Sequence, residues 1–225
     1  MKQFWLAIGL LVMLGCAPKE AAFKSDVPVT LIVQKTQEIP PAVNLSAPFY
    51  PQAPDADWSL PWQEACEEAS VILTYHGITG KPITRDRFRE EILNIVDWEK
   101  ERFGYYEHTT VDQTAEILRD YYKYSDFEIV ENPSVDDLKG HLAQGHLIIA
   151  PFAGRQLGNP FYRGSGPYYH MLVIKGYDDD QFITDDVGTR RGENFVYPYK
   201  RLMNALHDWH ETDMNLGEKK VIVVQ

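Results

Sequence analysis

Residues 170–186 read HMLVIKGYDDDQFITDD. Met171–Tyr177 is an apolar run of strand length, Asp178-Asp179-Asp180 reads as a turn, and Gln181–Thr184 reads as the returning strand. In an antiparallel pair the start of one strand lies beside the end of the other. His170 is therefore expected next to an aspartate, either Asp185 or Asp186. An imidazole oriented by a carboxylate is a proton-transfer device, and here spacing alone assembles it.

Outward from this hairpin, Phe127–Val130, Leu147–Phe152 and Phe195–Tyr197 read as further strands. A short helix near Tyr199–His207 and a strand over Lys220–Val224 close the chain. Upstream, the period becomes helical. Residues 45–62 are loop-like, with Pro48, Pro51, Pro54 and Pro61 among aromatics. A helix is expected over Glu64–His76, closed by Gly77. A second runs over Arg85–Arg102, with Thr84 as cap and Gly104 past its end. A third runs over Val111–Tyr122, with Thr110 and Gln113 at capping-box spacing, and a fourth over Val135–Gln144. Helices followed by a mostly antiparallel sheet give an α+β layout. Ala153–Tyr169 is a long connection carrying Gly154, Gly158, Gly164 and Gly166, the kind of loop that often bears function.

The sequence has 225 residues, enough for one good core. At 44% hydrophobic and 24% charged, its composition is that of a globular protein. The net charge is −11 and no basic block occurs, which argues against nucleic acid as a partner. Two cysteines exclude a disulfide framework.

Residues 1–15 read as an export signal: Lys2 precedes an uncharged apolar run, Phe4–Leu14, too short to span a bilayer. The run ends at Met13-Leu14-Gly15-Cys16, which resembles a bacterial lipoprotein cleavage box. Cys16 would then carry the lipid and fix the protein to the cell envelope membrane. Residues 16–43 read as a tether, with one strand at Val29–Val33, and residues 44–225 as the folded domain. Cys66 is then the only remaining thiol.

Cys66 falls in the first turn of the first helix, where peptide N–H groups and the positive dipole end favour a thiolate. A thiol needs a base to become a nucleophile, and His170 with an aspartate supplies one. Glu67 and Glu68 oppose this: carboxylates beside the sulfur raise its pKa unless they point elsewhere or find partners. A metal reading of His207-Asp208-Trp209-His210, or of His141 with His146, matches no common zinc spacing. Gly80-Lys81 lacks the upstream glycine of a phosphate loop.

Pro48-Phe49-Tyr50-Pro51-Gln52-Ala53-Pro54, Trp58 and Ala65-Cys66-Glu67-Glu68-Ala69-Ser70 resemble the N-terminal motif of bacterial papain-like cysteine peptidases, in the branch related to the bacteriocin-processing (double-glycine) peptidases. His170–Asp178 resembles that family's histidine strand and Thr184–Gly192 its acid motif. The resemblance covers about residues 44–210 and implies a papain-like fold. It implies Cys66 as nucleophile, His170 as general base and acid, Asp186 as its orienting acid and Gln52 as oxyanion donor. The chain departs from the pattern in having Glu67-Glu68 where better-known members have Gly-Pro, and Val187 where they have Pro. Gln52 lies 14 positions before the cysteine, farther than usual, and Gln63 is its rival.

The expectation is an exported, envelope-anchored cysteine hydrolase acting on a peptide or related amide, with no cofactor, metal, nucleotide or nucleic acid involved. The alternatives are a catalytically inactive peptide- or wall-binding module on the same fold, and an amide-transferring enzyme.

Overall fold

The computed structural model describes residues 39–225. Residues 1–15, Cys16, most of the expected tether and the strand at Val29–Val33 lie outside the described residues.

The backbone follows the helix-then-sheet order. Strand β1 (Val43–Asn44) precedes a 3-10 turn at Trp62–Glu64 and helix α1 (Cys66–Thr79). Helices α2 (Arg85–Phe103) and α3 (Val111–Glu116) follow. Thr84 caps α2 by accepting from the Arg87 N–H, and Gly104 ends it in the left-handed region at φ 87°. Thr110 and Gln113 form the expected capping box on α3. Then come β2 (Phe127–Glu131), α4 (Val135–Ala143), β3 (Leu147–Ala153), α5 (Gly154–Leu157), β4 (Tyr169–Tyr177), β5 (Gln181–Asp185), β6 (Phe195–Pro198), α6 (Tyr199–Ala205) and β7 (Lys220–Val224).

Two helices differ from the sequence reading. The third does not run unbroken to Tyr122: α3 ends at Glu116 and a π turn, Ile117–Tyr121, replaces its last part. The first is not closed by Gly77 but continues to Thr79, with Gly80 left-handed at φ 65°. Gly77 is there for closeness, since a Cβ on it would lie 2.8 Å from Leu147 Cδ1 and 3.2 Å from Ala47 Cβ. The short α5, the 3-10 turn at Trp62–Glu64 and β1 carry too little periodicity to be read from sequence.

The strands form one sheet in the order β2-β7-β3-β4-β5-β6, with β1 added against the end of β4, and every pairing is antiparallel. Alternate residues of β3 and β4 serve two different cores. Ile149, Met171 and Val173 pack with α1, α2 and α3, whereas Ile148, Ala150, Leu172 and Ile174 pack with Leu138, Leu142 and Leu202 of α4 and α6. Because both faces are covered, β4 is buried at all nine positions, and apart from His170 and Lys175 it reads as an apolar run rather than an alternating one. Burying an aliphatic side chain is worth about 1.5–3 kcal/mol, so the two central strands anchor the domain and fix the ends from which the site is built.

Candidate active site

Cys66 is the first residue of α1, and His170 is the second residue of β4, opposite Phe152 of β3. α1 packs along β4, so the start of the helix and the start of the strand meet at one end of the sheet. Cys66, His170 and Gln52 line a single cleft of about 740 Å³.

The carboxylate side of this arrangement is tightly built. His170 Nε2 lies 2.8 Å from Asp186 Oδ1, with the histidine 1% and the aspartate 0% exposed. The Gly188 N–H donates to the same oxygen at 3.0 Å. The other oxygen, Oδ2, accepts from Tyr197 Oη at 2.6 Å, Tyr162 Oη at 2.7 Å and Asn159 Nδ2 at 2.8 Å. Burial alone would raise the Asp186 carboxyl, but the imidazole and the two tyrosine O–H donors bring it down to about 2. With Nε2 held by the carboxylate, Nδ1 is the ring nitrogen left free for chemistry. Asp185, the sequence's other choice, sits on β5 opposite Val173 and turns away from His170: it pairs with Lys175 Nζ at 3.0 Å and accepts from the Asn194 N–H.

The sulfur side is less favourable to an ionised nucleophile. Cys66 is 6% exposed, and its S–H donates to Glu67 Oε2 at 2.9 Å. Burial first, then the Glu67 charge and hydrogen bond, push the thiol well above its ordinary value; the Met171 N–H reaching the sulfur works the other way. Of the two ways out that the sequence reading left, pointing elsewhere or finding partners, Glu67 does not take the first: it faces the sulfur. Glu67, Glu68 and, on α2, Glu99 are all buried. Burial raises all three carboxyls well above the ordinary range, and their mutual repulsion adds to it. Glu68 and Glu99 lie within hydrogen-bonding reach of each other, yet none of their four oxygens meets an N–H or O–H donor from another group among the described residues. Like charges so close oppose the ionisation of either carboxyl.

Gln52 is 3% exposed and its own N–H donates to Val187 O, next to Asp186. Its Nε2 donates to Trp62 O at 2.9 Å, which occupies one of two amide hydrogens. Gln63 also lines the cleft but is exposed.

Sequence reasoning missed Tyr162, Tyr197 and Asn159. Asn159 and Tyr162 lie in the glycine-bearing connection between β3 and β4, whose length was the available signal. Tyr197 reaches the site through the pairing of β6 with β5, opposite Phe182, and nothing local announces it.

A family model described as "Peptidase_C39 like family" matches residues 44–214. Among solved structures, a protein described as a C39-like peptidase from Bacillus anthracis superposes with a TM-score of 0.55 at 14% identity, covering 82% of this chain and 98% of that one. Xylellain, a cysteine protease from Xylella fastidiosa, superposes with a TM-score of 0.52 at 16% identity, covering 84% of this chain and 87% of that one. At these identities the likeness is one of fold, and it makes the present architecture the papain-like α+β fold. No curated protein sequence matches the chain.

Proposed function

Because this chain belongs to the Peptidase_C39 like family, we propose that it is a cysteine peptidase-like hydrolase that opens a peptide or related amide through Cys66, His170 and Asp186. In this reading His170 Nδ1 takes the thiol proton as the sulfur attacks the carbonyl carbon. The oxyanion is met by the Cys66 N–H at the start of α1 and by the second amide hydrogen of Gln52. The imidazolium then gives its proton to the leaving amine, and a thioester remains. Water, deprotonated by His170, attacks the thioester and releases the acid and the free thiol. Asp186 stays ionised throughout and holds the ring.

Glu67 fits this cycle in its neutral form. With its carboxyl raised by burial, it accepts from the thiol at rest and can donate its own O–H to the thiolate once the proton has moved. The observation that carries the reading is the fully buried Asp186 carboxylate holding His170 at 2.8 Å on the wall of the cleft that Cys66 also lines.

A peptide library incubated with the protein should yield new N-termini, and Cys66→Ala or His170→Ala should abolish them. A folded protein that yields none, and whose Cys66 reacts with iodoacetamide no faster than a free thiol, overturns the proposal. That outcome would favour a non-catalytic peptide-binding module, a reading which the buried, protonated thiol supports on its own.

For localisation we propose that Cys16 carries the lipid of an exported, envelope-anchored protein, on the strength of the Gly15-Cys16 box after the apolar run. Detergent-phase partition that is lost in Cys16→Ser tests it. Partition unchanged by that substitution rejects it.

A further inference from the structure

We propose that Arg163, Arg190 and Arg191 form an anion-recognising wall on the leaving-group side of the cleft, selecting substrates with a carboxylate within the two residues that follow the scissile bond. The inference rests on the hydrolase reading above and specifies its substrate class.

All three arginines line the cleft and are exposed. None has a carboxylate within 4.0 Å among the described residues, whereas Arg85, Arg87, Arg89, Arg102 and Arg119 on the helical side are all paired. In a chain of net charge −11, three arginines lining one cleft without a carboxylate partner among the described residues make a local field opposite to that of the whole molecule. Glu64 is the one carboxylate among the lining residues, and it lies on the Cys66 side, 3.8 Å from His108 Nδ1.

The position of the arginines follows from the residues that hold the imidazole. Tyr162, which donates to Asp186 and packs edge-on against the His170 ring at 5.5 Å, immediately precedes Arg163. Gly188 also comes close to the ring: a Cβ there would lie 2.9 Å from His170 Cε1 and 3.1 Å from Tyr162 Cε1. Arg190 and Arg191 follow it in a closed loop, tied where the Asp186 N–H donates to Gly192 O. The Arg191 guanidinium lies 4.8 Å from the centre of the Phe161 ring, which joins the two segments. Since the imidazolium must deliver a proton to the departing nitrogen, the part of the substrate beyond that nitrogen runs along this wall. Guanidinium groups match carboxylates in charge and in fork geometry.

The test compares alkylation of Cys66 by iodoacetate and by iodoacetamide, which differ in charge at the same thiol. The iodoacetate-to-iodoacetamide rate ratio should fall about 5–20-fold in the variant R163Q/R190Q/R191Q at low salt. It should stay unchanged in the control K100Q/K123Q/K200Q, which removes as much charge from exposed positions elsewhere. In a peptide library, the new N-termini should be enriched in Asp or Glu at their first two positions, and the triple arginine variant should lose that enrichment. A wild-type iodoacetamide rate that depends on His170, together with an unchanged ratio or no acidic enrichment, overturns the arginine wall alone. An equal fall in the lysine control also overturns it. An iodoacetamide rate no faster than that of a free thiol and unaltered in His170→Ala overturns the hydrolase reading and this inference with it.

Discussion

Asp186 accepts from five donors, and a carboxylate so saturated is both fixed in place and held ionised. Replacing it with Asn keeps the shape but removes the charge that stabilises the imidazolium. Asp186→Asn is expected to slow His170-dependent alkylation of Cys66 by roughly 10²-fold or more. Tyr197→Phe removes one donor and should cost roughly tenfold or less. Alkylation rates measured at constant pH check both, and equal losses would mean that the network acts only as packing. Because the folded carboxyl titrates at about 2, below an ordinary Asp at about 3.9, it stabilises the protein above the unfolded value. That stability, about 2–3 kcal/mol by linkage, is lost as pH falls toward 2. Urea unfolding between pH 6 and 2.5 should therefore show a shallower acid loss in Asp186→Asn. At Glu67, Gln keeps a neutral donor beside the sulfur but cannot ionise. Glu67→Gln should extend Cys66 reactivity to higher pH, and a pH profile identical to wild type would contradict the role given to Glu67.

Neighbouring elements treat similar acids in opposite ways. Glu91 on α2 is buried, yet Tyr122 Oη at 2.6 Å, Arg87 Nε at 2.8 Å and His76 Nε2 at 3.3 Å surround it. Burial would raise its carboxyl, but these donors hold it below the ordinary Glu value. Two turns later on the same helix, Glu99 meets Glu68 of α1, and neither carboxylate finds a donor from another group among the described residues. Between β4 and β5, the buried Lys175–Asp185 pair sits where the pairing register shifts, between Ile174 and Gly176. Removing one member of a buried ion pair strands the other. Asp185→Ala alone is expected to cost about 3–5 kcal/mol, and Lys175→Met with Asp185→Ala markedly less. Chemical denaturation of the single and double variants measures the difference. A double variant as unstable as the sum of the singles would show that the two residues act separately.

Across the whole molecule, the three buried acids set the pH dependence on the alkaline side. Glu67, Glu68 and Glu99 have folded values raised above the unfolded value of about 4.3. As pH rises past that point, the unfolded chain releases protons that the folded protein retains, so stability falls until the folded groups ionise. Glu99→Gln removes that residue's share of the penalty while keeping the shape. It should raise the melting temperature at pH 8 more than at pH 5, by several degrees at roughly 2–4 °C per kcal/mol for a chain of this size. Thermal melts at the two pH values decide it, and an equal shift at both would mean that Glu99 is ionised in the folded state.

The α+β order, the hairpin over residues 170–186 and the approach of its histidine to an aspartate are legible in the amino-acid sequence, because they follow from period and from antiparallel pairing between close neighbours. It also marked Cys66 at the start of its helix. That Asp186 rather than Asp185 meets His170 depends on the folded arrangement, in which Asp185 is claimed by Lys175 across the sheet. Only packing could bring Tyr162, Tyr197 and Asn159 onto Asp186, turn Glu67 toward the sulfur and bury Glu68 against Glu99. Those contacts join residues from 1 to 31 positions apart whose side-chain directions depend on which faces the helices and strands present to one another. A local pattern encodes which face is apolar; it does not encode which neighbour that face will meet.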